Sequence, residues 1–129
     1  CEVVTNRKPT NDEYEAIALG WVIVKSVKSN AIVFSNQFKT LGIGAGQMSR
    51  VDSVKIAIRK SKENNLNLDG SIIASDAFFP FPDSIEIAAS EGVIGIVQPG
   101  GSIKDKEVIE VANNLNLFMI FTNERHFLH

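Results

Sequence analysis

Cysteine is almost missing from this chain: Cys1 is the only one among 129 residues. That excludes an internal disulfide framework and a thiolate metal site, and it suits a reducing cytoplasm. Long apolar runs are missing too. No stretch approaches the roughly 20 residues that a membrane-spanning helix needs, and no signal-peptide pattern opens the chain. Neither sign of charge dominates, with 13 basic against 15 acidic side chains and a net charge of −2. No basic field is therefore available to attract nucleic acid. Histidine occurs twice, at His126 and His129, with no Cys, Asp or Glu beside either at metal-ligand spacing. A Gly-x-x-x-x-Gly-Lys-Ser/Thr phosphate loop, a Gly-x-Ser-x-Gly elbow and the zinc signature of His-x-Glu followed by Pro-Cys-x-x-Cys are all absent. No Lys–His or Cys–His pair suggests a proton-transfer centre. The chain reads as binding apparatus without its own catalyst.

What is present suits one globular domain. Apolar residues make up 44% and charged residues 22%, and mean hydropathy is near zero, so a normal core forms without a covalent staple. The chain opens at Cys1 rather than Met and runs at once into structured-looking sequence, so a piece of a longer polypeptide is expected. Thr10 and Glu13 are spaced as a capping box after Pro9, and Tyr14, Ile17, Ala18, Trp21 and Val22 follow at helical spacing, predicting a helix to about Val27. Gly20 inside it invites close packing. Ala31–Phe34 and Lys39–Ile43 are β-rich runs around Ser35-Asn36-Gln37, a hairpin pattern. Ser49 caps a second helix with Val51, Val54, Ala57 and Ile58 inward and the basic Lys55, Arg59, Lys60 and Lys62 on a solvated face. From Gly70 the rhythm becomes β-α-β-α-β, with strands at 71–74, 93–97 and 117–121 and helices at 84–90 and 104–114. Crossovers of that length imply parallel strands with helices on both faces. The fold class is α/β, a three-layer α/β/α sandwich in which a hairpin joins a partly parallel sheet, and the order of elements suits a deaminase-like sheet.

Ligands of open α/β sheets bind beyond the carboxyl ends of the strands, and the unusual residues of this chain gather there. Gly42-Ile43-Gly44-Ala45-Gly46-Gln47-Met48-Ser49-Arg50 leads into a helix, and so does Gln98-Pro99-Gly100-Gly101-Ser102. Glycine-rich turns at helix N-termini offer backbone N–H groups to anions. Arg50 and Arg125 are suited to bidentate contacts with a phosphate or carboxylate. Most distinctive is Ser75-Asp76-Ala77-Phe78-Phe79-Pro80-Phe81-Pro82-Asp83. Its prolines exclude helix interior and central strand, leaving a stiff loop that presents flat aromatic faces beside carboxylates. Such a loop suits a planar heterocycle whose ring stacks while its polar edge is hydrogen-bonded. The competing reading tucks those phenylalanines under a helix, as glycines in tight strand–helix turns also need no ligand.

These segments, together with Ser29-Asn30-Ala31-Ile32-Val33 and Arg125-His126-Phe127 with His129, closely resemble the C-terminal part of the bifunctional aminoimidazole carboxamide ribonucleotide (AICAR) transformylase and IMP cyclohydrolase family. The resemblance covers essentially the whole chain. It implies the second of two zinc-free, cytidine-deaminase-like halves of the transformylase domain, residues 1–129 forming a single unit. The implied activity is transfer of a formyl group from 10-formyltetrahydrofolate to the 5-amino group of AICAR in cytoplasmic purine biosynthesis. By similarity Asn30, Arg50, Phe78 and Arg125 contact AICAR, and Pro80, Phe81, Asp83, Gly101 and Ser102 line the folate pocket. Ser29, Asp76 and His129 match a structural monovalent-cation (K+) site. The resemblance also implies a homodimer, and a catalytic lysine–histidine pair in the upstream half, so that this chain holds no catalytic residue. Pro82 stands where the family usually has arginine, which removes a positive charge from the folate side. An alternative from another class is an isolated binding or dimerisation module without catalysis.

Overall fold

The structure, a computed structural model, describes residues 2–27, 31–36, 39–46, 49–79 and 82–123, with the Arg50 side chain left out. The elements are β1 (Glu2–Val3), α1 (Asn11–Val24), β2 (Ile32–Ser35), β3 (Thr40–Gly44), α2 (Arg50–Glu63), β4 (Ile72–Ser75), α3 (Asp83–Ser90), β5 (Gly95–Gln98), α4 (Asp105–Asn114) and β6 (Phe118–Phe121). One mixed sheet has the order β1-β6-β5-β4-β2-β3. Strands β4, β5 and β6 are parallel, as the helical crossovers require, whereas β2 runs antiparallel to both β3 and β4.

Alternation along the strands divides the core in two. Ile32, Phe34, Ile73, Ile96, Met119 and Phe121 point to one face, where Val54, Ala57 and Ile58 of α2, Ile85 and Ala88 of α3, and Val108 and Ala112 of α4 cover them. Val33, Ile72, Ala74, Val97, Phe118 and Ile120 point to the other, which meets Ala16, Ile17 and Val24 of α1. The expected three layers are present, with three of the described helices on one side and one on the other.

The expected helix starts hold. Thr10 accepts the Glu13 N–H at 3.3 Å while Glu13 accepts the Thr10 N–H at 2.9 Å, closing the capping box. Ser49 caps α2 by accepting the Asp52 N–H at 3.2 Å. Several ends differ. The first helix stops at Val24 rather than near Val27, because the Ser26 N–H turns back to the Ile23 carbonyl. Strands β4, β5 and β6 each begin later than their apolar runs. Ser71, Val93 and Leu117 still donate to Leu68, Ala88 and Ala112 in the preceding turns. Asn65, Gly92 and Asn116, all with positive φ, close α2, α3 and α4 in this way, with 6→1 bonds from the next residue.

The inward face of α1 is set by its small residues. Ala16, Ile17, Gly20 and Val24 are buried, while Tyr14 and Val22 are 47% and 60% exposed. Gly20 decides the rotation: a Cβ there would lie 2.7 Å from Ser35 Oγ and 3.0 Å from Ile72 Cδ1. Ser35 locks the contact by donating to the Ala16 carbonyl at 2.9 Å. Only the smallest residue lets the helix sit that close.

Candidate functional site

Register brings the singled-out loops to one edge of the sheet. Ile32 stands opposite both Gly44 and Ser75, so the start of β2 lies beside the ends of β3 and β4. The parallel pairs Ala74–Val97 and Gln98–Phe121 put the ends of β5 and β6 on the same edge. Asn123 then donates its N–H to the Pro99 carbonyl at 3.0 Å. Pro99, Gly100, Gly101 and Asn123 border a shallow cavity of about 240 Å³. Gathered at that edge are half-buried Phe78 and Ser102, exposed Gly101, and exposed Asp83 at the start of α3. The Arg50 backbone opens α2 there.

The aromatic loop is only partly a display of flat faces. Phe79 is completely buried in the larger core cluster, so the under-the-helix reading holds for it. Phe78 remains half-buried at the rim. Buried polar groups brace this turn. Ser75 donates through Oγ to the Ala77 carbonyl at 2.7 Å, and Gln98 Oε1 accepts the Phe79 N–H at 3.1 Å. Asp76, fully buried, accepts the Ala31 N–H at 3.2 Å and returns its own N–H to the Ala31 carbonyl at 3.2 Å. It prolongs the β2–β4 ladder by one step.

The glycine motifs are corrected as anion receptors. Gly42 and Gly44 lie within β3, and a Cβ on them would come 2.4 Å from the Ala57 carbonyl oxygen and 1.9 Å from that of Ser53. They exist to seat α2 on the strand. Only Gly46, at φ 68°, turns the chain. In the loop after β5, the Asp105 carboxylate already takes the Gly101 N–H at 2.8 Å and the Ser102 N–H at 3.1 Å. An internal anion fills that turn, so those two N–H groups are not waiting for a phosphate.

Of the expected site residues, Phe78, Asp76, Asp83, Gly101 and Ser102 are brought to this edge. Ser29, Asn30, Pro80, Phe81, Arg125 and His129 lie outside the described residues, as does the Arg50 side chain. Among the described residues Asp76 is the only member of the expected K+ set, and no group of three or more His, Cys, Asp or Glu is placed to hold a metal. Sequence reasoning missed Gln98 and Asp105 as organisers of the edge. The signals were a glutamine closing an otherwise apolar strand and an aspartate three residues after Ser102.

Residues 1–60 match the family model described as AICARFT/IMPCHase bienzyme. The chain is 53% identical over 128 residues to the bifunctional purine biosynthesis protein PurH of Aquifex aeolicus, and 56% identical to that of Desulfitobacterium hafniense. Each match covers 99% of this chain. It spans about a quarter of the length of these relatives, 25% and 24% respectively. The fold itself is deaminase-like. A dCMP deaminase from the cyanophage S-TIM5, in complex with dCMP and dUMP, superposes with a TM-score of 0.59 at 16% identity, covering 91% of this chain and all of that one. The apo form gives 0.55 at 15% identity over 88% of this chain and 98% of that one. Identity that low speaks for the fold alone. No helix among the described residues is long and apolar enough to cross a membrane.

Proposed function

We propose that this chain is the second half of an AICAR transformylase domain, and that its sheet edge positions AICAR and 10-formyltetrahydrofolate for formyl transfer in purine biosynthesis. The observation that carries the reading is the convergence of the Phe78, Asp83 and Gly101–Ser102 loops on one edge of a deaminase-like sheet. The similarity to PurH proteins narrows the chemistry, and the deaminase-like sheet favours the transformylase portion over the cyclohydrolase portion. In the reaction the 5-amino nitrogen of AICAR attacks the formyl carbon and the bond from that carbon to folate N10 breaks. One proton leaves the attacking amine and one is gained by N10. Tetrahydrofolate and the formamide are the products.

This chain's share is placement. The Phe78 ring supplies a face for the imidazole, the exposed Asp83 carboxylate accepts hydrogen bonds from an amino edge of the pterin, and Arg50 and Arg125 take the anionic end of AICAR. Holding two reactants in attack geometry removes a large part of a bimolecular barrier. The proton-transfer pair belongs to the upstream half, and the parent protein works as a dimer in the cytoplasm. No step passes through a metal.

A second reading, a non-catalytic docking module, is favoured by an apolar groove of about 320 Å³ between α1 and the sheet, bordered by Tyr14, Ile17, Trp21, Val97 and Ile120. Formyl transfer measured for this chain alone and mixed with the upstream half separates the readings. Silence alone and turnover on mixing is expected. Turnover by the chain alone would mean that the catalytic pair lies within these residues. Silence in both, with a stable complex formed, would favour the docking module.

A further inference from the structure

Gln98 is the least expected occupant of the core. It ends β5 with no exposed surface, among Phe79, Ile96, Met119 and Phe121 of the larger apolar cluster. An apolar side chain of equal length would fill that volume without the cost of desolvating a poorly partnered amide. The polar end is used at one place above all: Oε1 accepts the Phe79 N–H at 3.1 Å. Among the described residues its Nε2 donates to Met119 Sδ, at 3.5 Å, a weak acceptor. The backbone of the same residue accepts the Thr122 N–H at 2.9 Å. Gln98 therefore ties the end of β5 to the aromatic loop through its side chain and to the segment after β6 through its carbonyl.

The consequence lies one residue away. With the Phe79 ring sunk in the core and its N–H held by Gln98, the backbone orientation at Phe78 is set from both sides, the other side being the Ser75–Ala77 turn. We propose that Gln98 is a positioning residue that presents Phe78 to the heterocycle without touching it. The idea rests on the substrate-positioning role proposed above for this edge.

The test compares wild-type and Gln98→Met forms of the full-length parent protein. AICAR affinity is read by calorimetry, KM and kcat by formyl transfer, and exchange of the Phe79 amide by hydrogen–deuterium exchange. Loss of one hydrogen bond at a positioning group predicts about a five- to tenfold rise in AICAR Kd and KM, with kcat changed far less. Faster exchange at the Phe79 amide should accompany it, in a protein that still unfolds cooperatively. Gln98→Glu, which keeps an acceptor oxygen at the same reach, should recover most of the affinity. Wild-type protein that binds AICAR while Gln98→Met binds it equally well overturns the positioning role alone. Faster exchange with unchanged affinity does so too, because the loop would then be loosened without consequence for the ligand. If Gln98→Met does not fold, Gln98→Glu carries the test, and a tenfold loss of affinity in it overturns the role assigned to the acceptor oxygen. Wild-type protein that binds no AICAR overturns the proposed function first, and this role with it.

Discussion

Replacing Gly44 by alanine should destabilise the domain far more than one added methyl group suggests. The new Cβ would stand 1.9 Å from the Ser53 carbonyl oxygen, 2.6 Å from its carbonyl carbon and 2.9 Å from its Cα, all of them helix backbone. Real Cβ atoms essentially never approach closer than 3.0 Å, so α2 must retreat from β3 by about 1 Å. No flexible side-chain end is available to give way. Val54, Ala57 and Ile58 ride on the same helix and would lose contact with Ile32 and Phe34 across the interface. Overpacking ordinarily costs about 1–3 kcal/mol, and a rigid backbone obstacle puts Gly44→Ala at about 3 kcal/mol or somewhat above. In a domain of this size that lowers Tm by roughly 10 °C. Urea denaturation and calorimetry would read it, with Gly70→Ala as the control. Gly70 has a positive φ of 76° but nothing within 4 Å of an added Cβ, so only the conformational penalty of about 1–2 kcal/mol applies. A Gly44→Ala protein within 0.5 kcal/mol of wild type would refute the packing account and return the glycine motif to the ligand.

Other consequences can be measured alongside. Phe79→Ala should lose about 3–5 kcal/mol of stability because its ring is fully buried, whereas Phe78→Ala should lose about 1–2 kcal/mol and weaken AICAR binding; equal losses in a urea series would contradict the division between core and rim. Burial tends to raise the Glu13 pKa, but hydrogen bonds from Arg7 and Thr10 and the Arg7 charge outweigh it and hold the carboxyl below its usual 4.5. A depressed folded-state pKa means stability that is present above 4.5 and lost as pH falls through the folded value. Glu13→Gln should therefore be less stable than wild type at pH 7, and the gap should shrink in acid; a gap that persists at about pH 3 would show that charge is not the cause. Asp105→Ala frees the Gly101 and Ser102 N–H groups, so a loss of about 1–2 kcal/mol with weakened folate binding is expected. Unchanged folate affinity would separate that turn from the pocket.

Some of this molecule was written locally, and local physics was enough to read it. The Thr10–Glu13 box and the Ser49 cap involve residues three apart, so helix starts were legible. The apolar runs near Ile72, Ile96 and Met119, spaced by helical crossovers, announced parallel strands and placed the loops after Ser75, Gln98 and Phe121 on one edge. The likeness to purine-biosynthesis proteins rested on those loops together with the Ser29–Val33 and Gly42–Ser53 segments. Strand β1 was not legible, because two residues carry no period and Glu2–Val3 become a strand only by pairing with Ile120 and Phe121. Which face of α1 is buried was not legible in its apolar residues, since Tyr14 and Val22 are more apolar than Ala16 and Gly20, yet a helix packs where it can approach. Similarly, a glycine in sequence does not say whether it makes room for a phosphate or for a helix. Gly42 and Gly44 do the second because α2 returns across β3. Sequence by itself determined the periodicities, the caps and the order of elements, all of which are short-range. Which acceptor the Phe79 N–H meets, the side chain of Gln98 on the neighbouring strand, was decided only when the two segments came within 3.1 Å of one another.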